Sequence, residues 1–245
     1  MRLLEDLVSA AHRRAADIVL PAETCASRAS FADALRGKDS LSLIAEFKRR
    51  SPSRGAIAVD LDVVQQVQSY ATHGAAAISV LTEPEHFGGS YDDLRAAAST
   101  VDLPILMKDF VVSPVQVRLA ARIGASAVLL IGRCLDDHHL QELIRVAHDE
   151  GLDALVECHC EADIAQAIGA GAHVLGINNR DLDTLRIDRT TAPGLARHIP
   201  QDRITVAESG YETPDALGEV RGHADAVLVG TALMRGDAIQ GFVRP

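Results

Sequence analysis

The stretch IGASAVLLI, residues 123–131, holds the pattern that decides the fold. A glycine closes a helical segment, one or two small or polar residues follow, and an apolar run begins. Glycine just past a helix suits the left-handed C′ position, where a Cβ is penalised. An apolar run with little polar interruption reads as a parallel strand buried on both faces. The pattern returns in HGAAAISVL (73–81), EGLDALVE (150–157), AGAHVLGIN (170–178) and RGHADAVLVG (221–230). SLIAEF (42–47), LPILM (103–107) and ITVAE (204–208) complete a set of eight strands. These are expected to begin near residues 42, 76, 103, 126, 153, 173, 203 and 224.

Amphipathic helices fill the intervals. Ser113-Pro114 and Thr213-Pro214 each set an N-cap residue before a proline at the first helical position. Ser90 followed by Asp93 resembles a capping box. Eight alternating strand–helix units predict an α/β fold, a (β/α)8 TIM barrel. An open doubly wound sheet is the alternative, but it calls for a glycine-rich phosphate loop after an early strand, and no G-x-G-x-x-G stands there. One domain is expected over residues 1–245, with a helical N-terminal extension over 1–40 and the barrel over 41–245. The extension carries an amphipathic helix near Leu3 to Val19, placed to cover the barrel bottom or to lie across its mouth.

Composition narrows the function. The chain has 245 residues, 47% hydrophobic and 24% charged, which suits a globular protein and not a disordered one. No apolar run approaches the roughly 20 residues that span a bilayer. The N-terminus lacks a signal-peptide core, so a cytoplasmic location and no membrane partner are expected. A net charge of −10 and the lack of a long basic stretch argue against nucleic acid. Cys25, Cys134, Cys158 and Cys160 are too few for a disulfide scaffold. Cys158-His159-Cys160 offers thiolates and an imidazole, but no second ligand pair is visible, so no metal and no cofactor are expected.

Only three of the 24 basic residues are lysine: Lys38, Lys48 and Lys108. Arginine supplies surface charge equally well but does not release its proton near neutrality, whereas lysine does once its surroundings lower its pKa. Lys38 precedes the first strand and reads as ordinary surface charge. The other two fall at strand C-terminal ends, where the chemistry of this fold lies. Glu46 and Lys48 end the first strand on one face, Lys108-Asp109 end the third, and Glu157 ends the fifth. Asn178-Asn179-Arg180 end the sixth and Glu208 the seventh. Charges there are costly to desolvate unless paired or functional, and mixed carboxylates and amines supply acid and base together. Ser209-Gly210 and Gly230-Thr231 bring small residues and backbone N–H groups to the rim after strands seven and eight, a frequent phosphate site. The basic segment Arg49–Gly55 reads as a solvated loop or as a lid carrying charge to an anion.

These segments resemble the indole-3-glycerol phosphate synthase family. The carriers are IAEFKRRSPSRG (44–55), SVLTEPEHFGGS (79–90), LPILMKDF (103–110), AVLLI (127–131), LVECH (155–159), GINNRDL (176–182), AESG (207–210) and LVGTALM (228–234). They run in family order over nearly the whole barrel, and the helical extension is also typical. The resemblance implies a carboxy-lyase of tryptophan biosynthesis. Its substrate is the phosphorylated small molecule 1-(2-carboxyphenylamino)-1-deoxyribulose 5-phosphate, closed to indole-3-glycerol phosphate with loss of CO2 and water.

By that resemblance Lys108 is the general acid of ring closure. Glu157, Lys48 and Glu46 serve the dehydration, in a division left open, and Asn178 orients substrate hydroxyls. Ser51, Ser209, Gly210, Gly230 and Thr231 match phosphate and carboxylate contacts, while Phe87, Phe110 and Leu129 match the pocket for the aromatic ring. Arg180 and Glu208 extend the polar shell, with Arg180 expected to hold Glu46 or Lys48. The chain ends at Pro245 soon after strand eight, so a short last helix, no fused isomerase domain and a monomer are expected. Two other readings compete. One is a class I aldolase with Lys108 as its Schiff base. The other is a sugar-phosphate-binding barrel without catalysis, which would not need both acid and base.

Overall fold

In the computed structural model, which describes residues 2–22, 29–36, 41–236 and 239–243, eight parallel strands close into a barrel. Lys38 and Cys25 lie outside the described residues. The barrel strands are β1 (Ser42–Phe47), β4 (Ala77–Leu81), β5 (Ile105–Lys108), β6 (Ala127–Ile131), β7 (Asp153–Cys158), β8 (Val174–Asn178), β9 (Ile204–Glu208) and β10 (Ala226–Val229). Two short strands, β2 (Arg50–Ser51) and β3 (Gly55–Ala56), form an antiparallel hairpin after β1. Neighbours pair in sequence order, and β10 returns to β1. Each barrel strand starts within two residues of its expected position. The five helix-ending glycines, Gly74, Gly124, Gly151, Gly171 and Gly222, all have positive φ.

Helices α3 (Val63–Thr72), α4 (Tyr91–Thr100), α5 (Pro114–Ile123), α6 (Asp137–Asp149), α7 (Glu161–Gly169) and α8 (Thr191–Ala196) join successive strands, and α9 (Thr231–Met234) and α10 (Gln240–Val243) follow β10. The start signals were correct in place but not always in chemistry. Ser113 makes no side-chain cap bond. Gln116 satisfies the region instead: its Oε1 accepts from Val112 N–H, and its Nε2 donates to Phe110 O. Thr213-Pro214 opens a 3-10 turn, Pro214–Glu219, rather than an α-helix. Ser90 does cap α4, accepting from Asp93 N–H at 3.0 Å, but Asp93 pairs with Arg49 instead of completing a capping box.

The extension occupies both ends of the barrel. Helix α1 (Arg2–Ala16) ends three residues before the expected Val19 and lies across the mouth, where Leu3, Leu4 and Leu7 face the cavity. It is anchored by Arg14, whose Nη2 donates to buried Asp109 at 2.6 Å and whose Nη1 lies 3.6 Å from Glu83. A five-residue helix, α2 (Phe31–Leu35), closes the bottom. Phe31 and Leu35 are buried there, and Asp153 at the start of β7 accepts from Ala32 N–H at 2.9 Å. Five residues are too short for a periodicity argument, so α2 had no sequence signal.

Strand parity sorts the core into two layers. Leu43, Ala45, Ile78, Val80, Met107, Val128, Leu130, Val156, Leu175 and Val227 pack outward against the helices. Ile44, Ala77, Leu106, Ala127, Leu129, Leu155, Val174, Val206, Ala226 and Leu228 fill the barrel interior. Two residues beyond Ile44, Leu106, Leu155 and Val206 stand Glu46, Lys108, Glu157 and Glu208, so the same parity turns all four inward. Two glycines make room for the carboxylates: a Cβ on Gly176 would collide with Glu208 Oε1, and one on Gly230 with Glu46 Oε1.

Gly176→Ala is therefore expected to destabilise the fold by about 1–3 kcal/mol through overpacking. Gly169→Ala, where an added Cβ meets nothing within 4 Å, is expected to be neutral or stabilising by about 0.4–1 kcal/mol. Denaturant unfolding of the two variants beside the parent measures both, and equal effects would contradict the steric account.

Candidate active site

With Lys48, the four inward side chains form a triad and a pair in the upper barrel. Lys108 Nζ, at the end of β5, donates to Glu208 Oε2 at 2.8 Å and lies 3.5 Å from Glu157 Oε2. Lys48, just beyond β1, pairs with Glu46 Oε1. Glu46, Glu157 and Glu208 are each at most 2% exposed, so these are charges held almost wholly out of water. Asn178, at the end of β8, lines the same cavity, and its Oδ1 accepts from Arg180 N–H at 2.9 Å.

The electrostatics separate the groups around Lys108. Burial alone would lower the Lys108 pKa, but Glu208, Glu157 and Glu46 outweigh it and hold the ammonium protonated. Burial would raise Glu157 too, yet Lys108, His159 and Asn178 bring it below the ordinary carboxylate value. Glu208 goes the other way. Burial pushes it up to about 7 against the pull of Lys108, with Glu157 and Glu46 adding repulsion. Its Oε1 is buried with no hydrogen-bond partner, which fits a carboxyl that is easily protonated.

One wall of the cavity is apolar. Phe87 and Phe110 stand with ring centroids 6.4 Å apart, beside Leu129 and Ile131. Both phenylalanines are held by buried polar residues. Glu83 accepts from Phe87 N–H at 3.0 Å, Asp109 accepts from Phe110 N–H at 2.8 Å and from the Thr82 hydroxyl at 2.8 Å, and Gln116 takes up the Phe110 carbonyl. The rim opposite carries Ser51, Ser209, Gly210, Gly230 and Thr231. Asn179 fixes that rim, donating to Ser209 O at 2.9 Å and to the Tyr211 hydroxyl at 3.0 Å. Ser209 and Gly210 both have positive φ, a conformation that turns successive N–H groups toward one side of the chain.

One expectation needs correction. Arg180 does not hold Glu46 or Lys48: its Nη1 donates to Leu185 O at 3.0 Å, and its field alone reaches Glu46. The basic segment after β1 is solvated at Arg50, Ser53, Arg54 and Gly55, and it takes the form of an anchored hairpin. Arg49 makes a two-pronged bond to Asp93 at 2.5 and 2.9 Å and lies over the Phe47 ring, while Arg54 pairs with Glu212. Cys158, His159 and Cys160 do not converge either. Cys158 packs in the outer core as the last residue of β7, whereas Cys160 is exposed in the turn before α7.

All the expected residues, Arg180 included, line one cavity: Glu46, Lys48, Lys108, Glu157, Asn178 and Glu208 at its floor, with the aromatic wall and small-residue rim around them. Sequence reasoning missed Leu3, Leu4 and Leu7 on α1, and Arg14, Glu83, Asn179 and Gln116 behind the walls. The amphipathic pattern of α1 was visible and the mouth was one of its two expected positions, but which of its side chains face the cavity was not. The supporting polar residues carry no local signal beyond lying near strand ends.

Solved structures with the same architecture include the N-acetylmannosamine-6-phosphate 2-epimerase from Clostridium perfringens, with a TM-score of 0.64 at 14% identity over 87% of this chain and 95% of that one. A thiamine phosphate pyrophosphorylase from Pyrococcus furiosus gives 0.63 at 18% identity over 82% and 93%. At such identities these show the fold alone. A protein of Deinococcus radiodurans named indole-3-glycerol phosphate synthase is 51% identical over 207 residues, 83% of this chain and 77% of its own. One of the same name from a Nocardioides species is 45% identical over 253 aligned residues, 100% of this chain and 97% of that one. The family model described as indole-3-glycerol phosphate synthase matches residues 4–245. Its span, the identities and the quoted motifs agree: the chain belongs to the indole-3-glycerol phosphate synthase family.

Proposed function

We propose that this chain closes the indole ring of 1-(2-carboxyphenylamino)-1-deoxyribulose 5-phosphate, releasing CO2 and water to give indole-3-glycerol phosphate for tryptophan biosynthesis. The observation that carries the reading is Lys108 held between Glu157 and Glu208, with an aromatic wall on one side and a small-residue rim on the other. The wall suits the carboxyphenyl ring. The rim, with backbone N–H groups at Ser209-Gly210 and at the start of α9, suits the phosphate.

The aryl carbon bearing the carboxylate attacks the ribulose carbonyl, and Lys108 protonates the oxygen as the alkoxide forms. A lysine held protonated by two carboxylates remains a competent donor, because an alkoxide is a far stronger base than an amine. Loss of CO2 restores the electron pair to the ring, and water then leaves through an acid and a base. Glu157, kept ionised, is the base beside Lys108, while Lys48 with Glu46 forms the second acid–base pair across the mouth. Asn178 orients substrate hydroxyls. Ser51 and Thr231 join the phosphate contacts, and Phe87, Phe110 and Leu129 contact the aromatic ring. Arg180 adds positive charge beside the substrate without touching Glu46. The net charge of −10 favours a small-molecule partner over nucleic acid, and we place the reaction in the cytoplasm with a monomer as the working unit. No helix among the described residues is long and apolar enough to cross a membrane.

The Schiff-base alternative asks for a lysine whose pKa is lowered, and the surroundings of Lys108 act in the opposite direction. Borohydride in the presence of sugar phosphates is expected to leave Lys108 unmodified.

Incubation with the carboxyphenylamino substrate is expected to give indole absorbance and fluorescence, and folded protein that yields no product rules the reading out. Lys108→Arg keeps the charge but is expected to lose about 10²–10⁴-fold in kcat, since guanidinium is a poor donor. Near-normal turnover would remove Lys108 from the acid role. Glu157→Gln is expected to lower kcat by about 10²-fold with a smaller change in KM, and a rise in KM alone would mark it as a binding residue.

Glu208 also gives a stability prediction. Its pKa rises from 4.5 in the unfolded chain to about 7 in the fold, so the folded state keeps a proton that the unfolded chain releases. That contribution is complete below pH 4.5 and is lost as pH rises through 7. Glu208→Gln is therefore expected to gain thermal stability relative to the parent on going from pH 5 to pH 8. A difference in melting temperature that is flat across this range would contradict the assignment.

A further inference from the structure

His159 stands immediately after β7, behind Glu157 and outside the cavity lining. Its side chain is 6% exposed, and neither ring nitrogen makes a hydrogen bond of good geometry. The ring instead lies between two carboxylates. Nε2 is 3.4 Å from Glu157 Oε1, and Nδ1 is 3.7 Å from Asp163 Oδ2 on the first turn of α7. The same Asp163 oxygen accepts from His159 N–H at 2.7 Å, which fixes the backbone that carries the ring. A buried imidazole with two carboxylates and no neutral partner has little reason to be there as packing alone.

We propose that His159 is a positioning residue for Glu157, an imidazolium that holds Oε1 from behind so that Oε2 faces Lys108 and the substrate. This rests on the proposed reaction for its consequence, since Glu157 is the base there. The chain Asp163, His159, Glu157 then works as a counterion relay. Asp163 keeps the imidazole charged, and the charged imidazole keeps Glu157 ionised in a site where burial favours the acid form.

The charges around the relay are accounted for element by element. On β7 the ring meets Glu157; on α7 it meets Asp163, whose charge reaches the Cys158 thiol and which bonds with the Cys160 side chain before α7. From the turn after β6, Arg133 opposes the charge on the ring, and Cys134 faces Glu157. Burial pushes the Cys134 thiol up to about 12 and Cys158 higher, so both remain neutral. Glu157 also faces Lys108 on β5, Asn178 on β8 and Glu208 on β9. Burial would lower His159, but Asp163 and Glu157 together outweigh burial and Arg133, and the imidazole titrates above its ordinary value. Asp163 in turn is held down at about 2, where burial is overcome by the nearby His159 ring and the His159 backbone N–H.

The relay is tested first without turnover. Histidine ring resonances are followed against pH in protein with isotope-labelled histidine, His159 being assigned by its loss in His159→Gln. The expected result is a His159 pKa above that of an exposed histidine, falling by about one unit in Glu157→Gln. A His159 titration that is the same in Glu157→Gln as in the parent overturns the proposal.

Kinetics supply the second arm. Against the parent, kcat of His159→Gln is expected to be about tenfold lower at the acid end of the profile and to converge with it as pH rises, because Glu157 is protonated sooner. A loss of the same size at every pH marks a merely structural role and also overturns the proposal. Should His159→Gln not fold, Asp163→Asn serves in its place: the amide oxygen still accepts from His159 N–H, but the charge is gone, and the profile is expected to shift the same way. Failure to form indole in any protein would strike the proposed reaction and leave the titration arm standing. An unmoved titration in an active enzyme strikes only the relay.

Discussion

A lysine ammonium lies inside the barrel 2.8 Å from one glutamate and 3.5 Å from another, with both carboxylates nearly out of water and the lysine mostly buried. Isolated charges in such a place cost several kcal/mol each, and mutual attraction offsets this only where the geometry is fixed. The rest of the upper barrel supplies that fixing. Gly176 and Gly230 clear the space into which Glu208 and Glu46 extend. Asn178 and His159 support Glu157, and strand alternation turns Glu46, Lys108, Glu157 and Glu208 toward a single axis. Lysine alone among the basic residues combines a charge with a proton that chemistry can use, which explains its presence at two strand ends of a chain that otherwise prefers arginine.

The polar residues behind the cavity walls repeat one device. Asp109, Glu83, Gln116 and Asn179 are buried, and each satisfies backbone groups in the loops that carry cavity residues. Catalysis by positioned groups loses much of its rate for small displacements, so loops at a barrel mouth need such internal ties. The extension contributes to the same end. Arg14 binds Asp109, which holds Phe110, so α1 is linked to the aromatic wall it covers. The Arg49–Asp93 pair does the equivalent for the segment that follows Lys48.

Much of the barrel was legible in the chain because buried parallel strands and glycine-ended helices are local patterns. Strand starts fell within two residues of expectation for that reason. The charged residues that line the cavity were legible because charge at the end of an apolar strand is conspicuous. Arg180 was misassigned because its neighbours depend on the turn that brings Leu185 within reach, and that turn is not encoded by spacing from Glu46. The anchors of the basic hairpin were not legible for the same kind of reason: Asp93 and Glu212 are 44 and 158 residues away from the arginines they pair with.

By itself the sequence determined the alternation of strands and helices, the inward parity of Glu46, Lys108, Glu157 and Glu208, and the family. These follow from periods of two and 3.6 residues and from motifs that are contiguous. Only the tertiary structure decided which carboxylate faces which lysine, that α1 covers the mouth while α2 closes the bottom, and that His159 stands between Glu157 and Asp163. Those depend on barrel closure, which brings β5, β7 and β9 around one axis although the residues they carry lie up to 100 positions apart. Burial raises the proton affinity of Glu157 and Glu208 alike, and Lys108, His159 and Asn178 reverse it at Glu157 alone; both the burial and those neighbours are properties of the closed barrel.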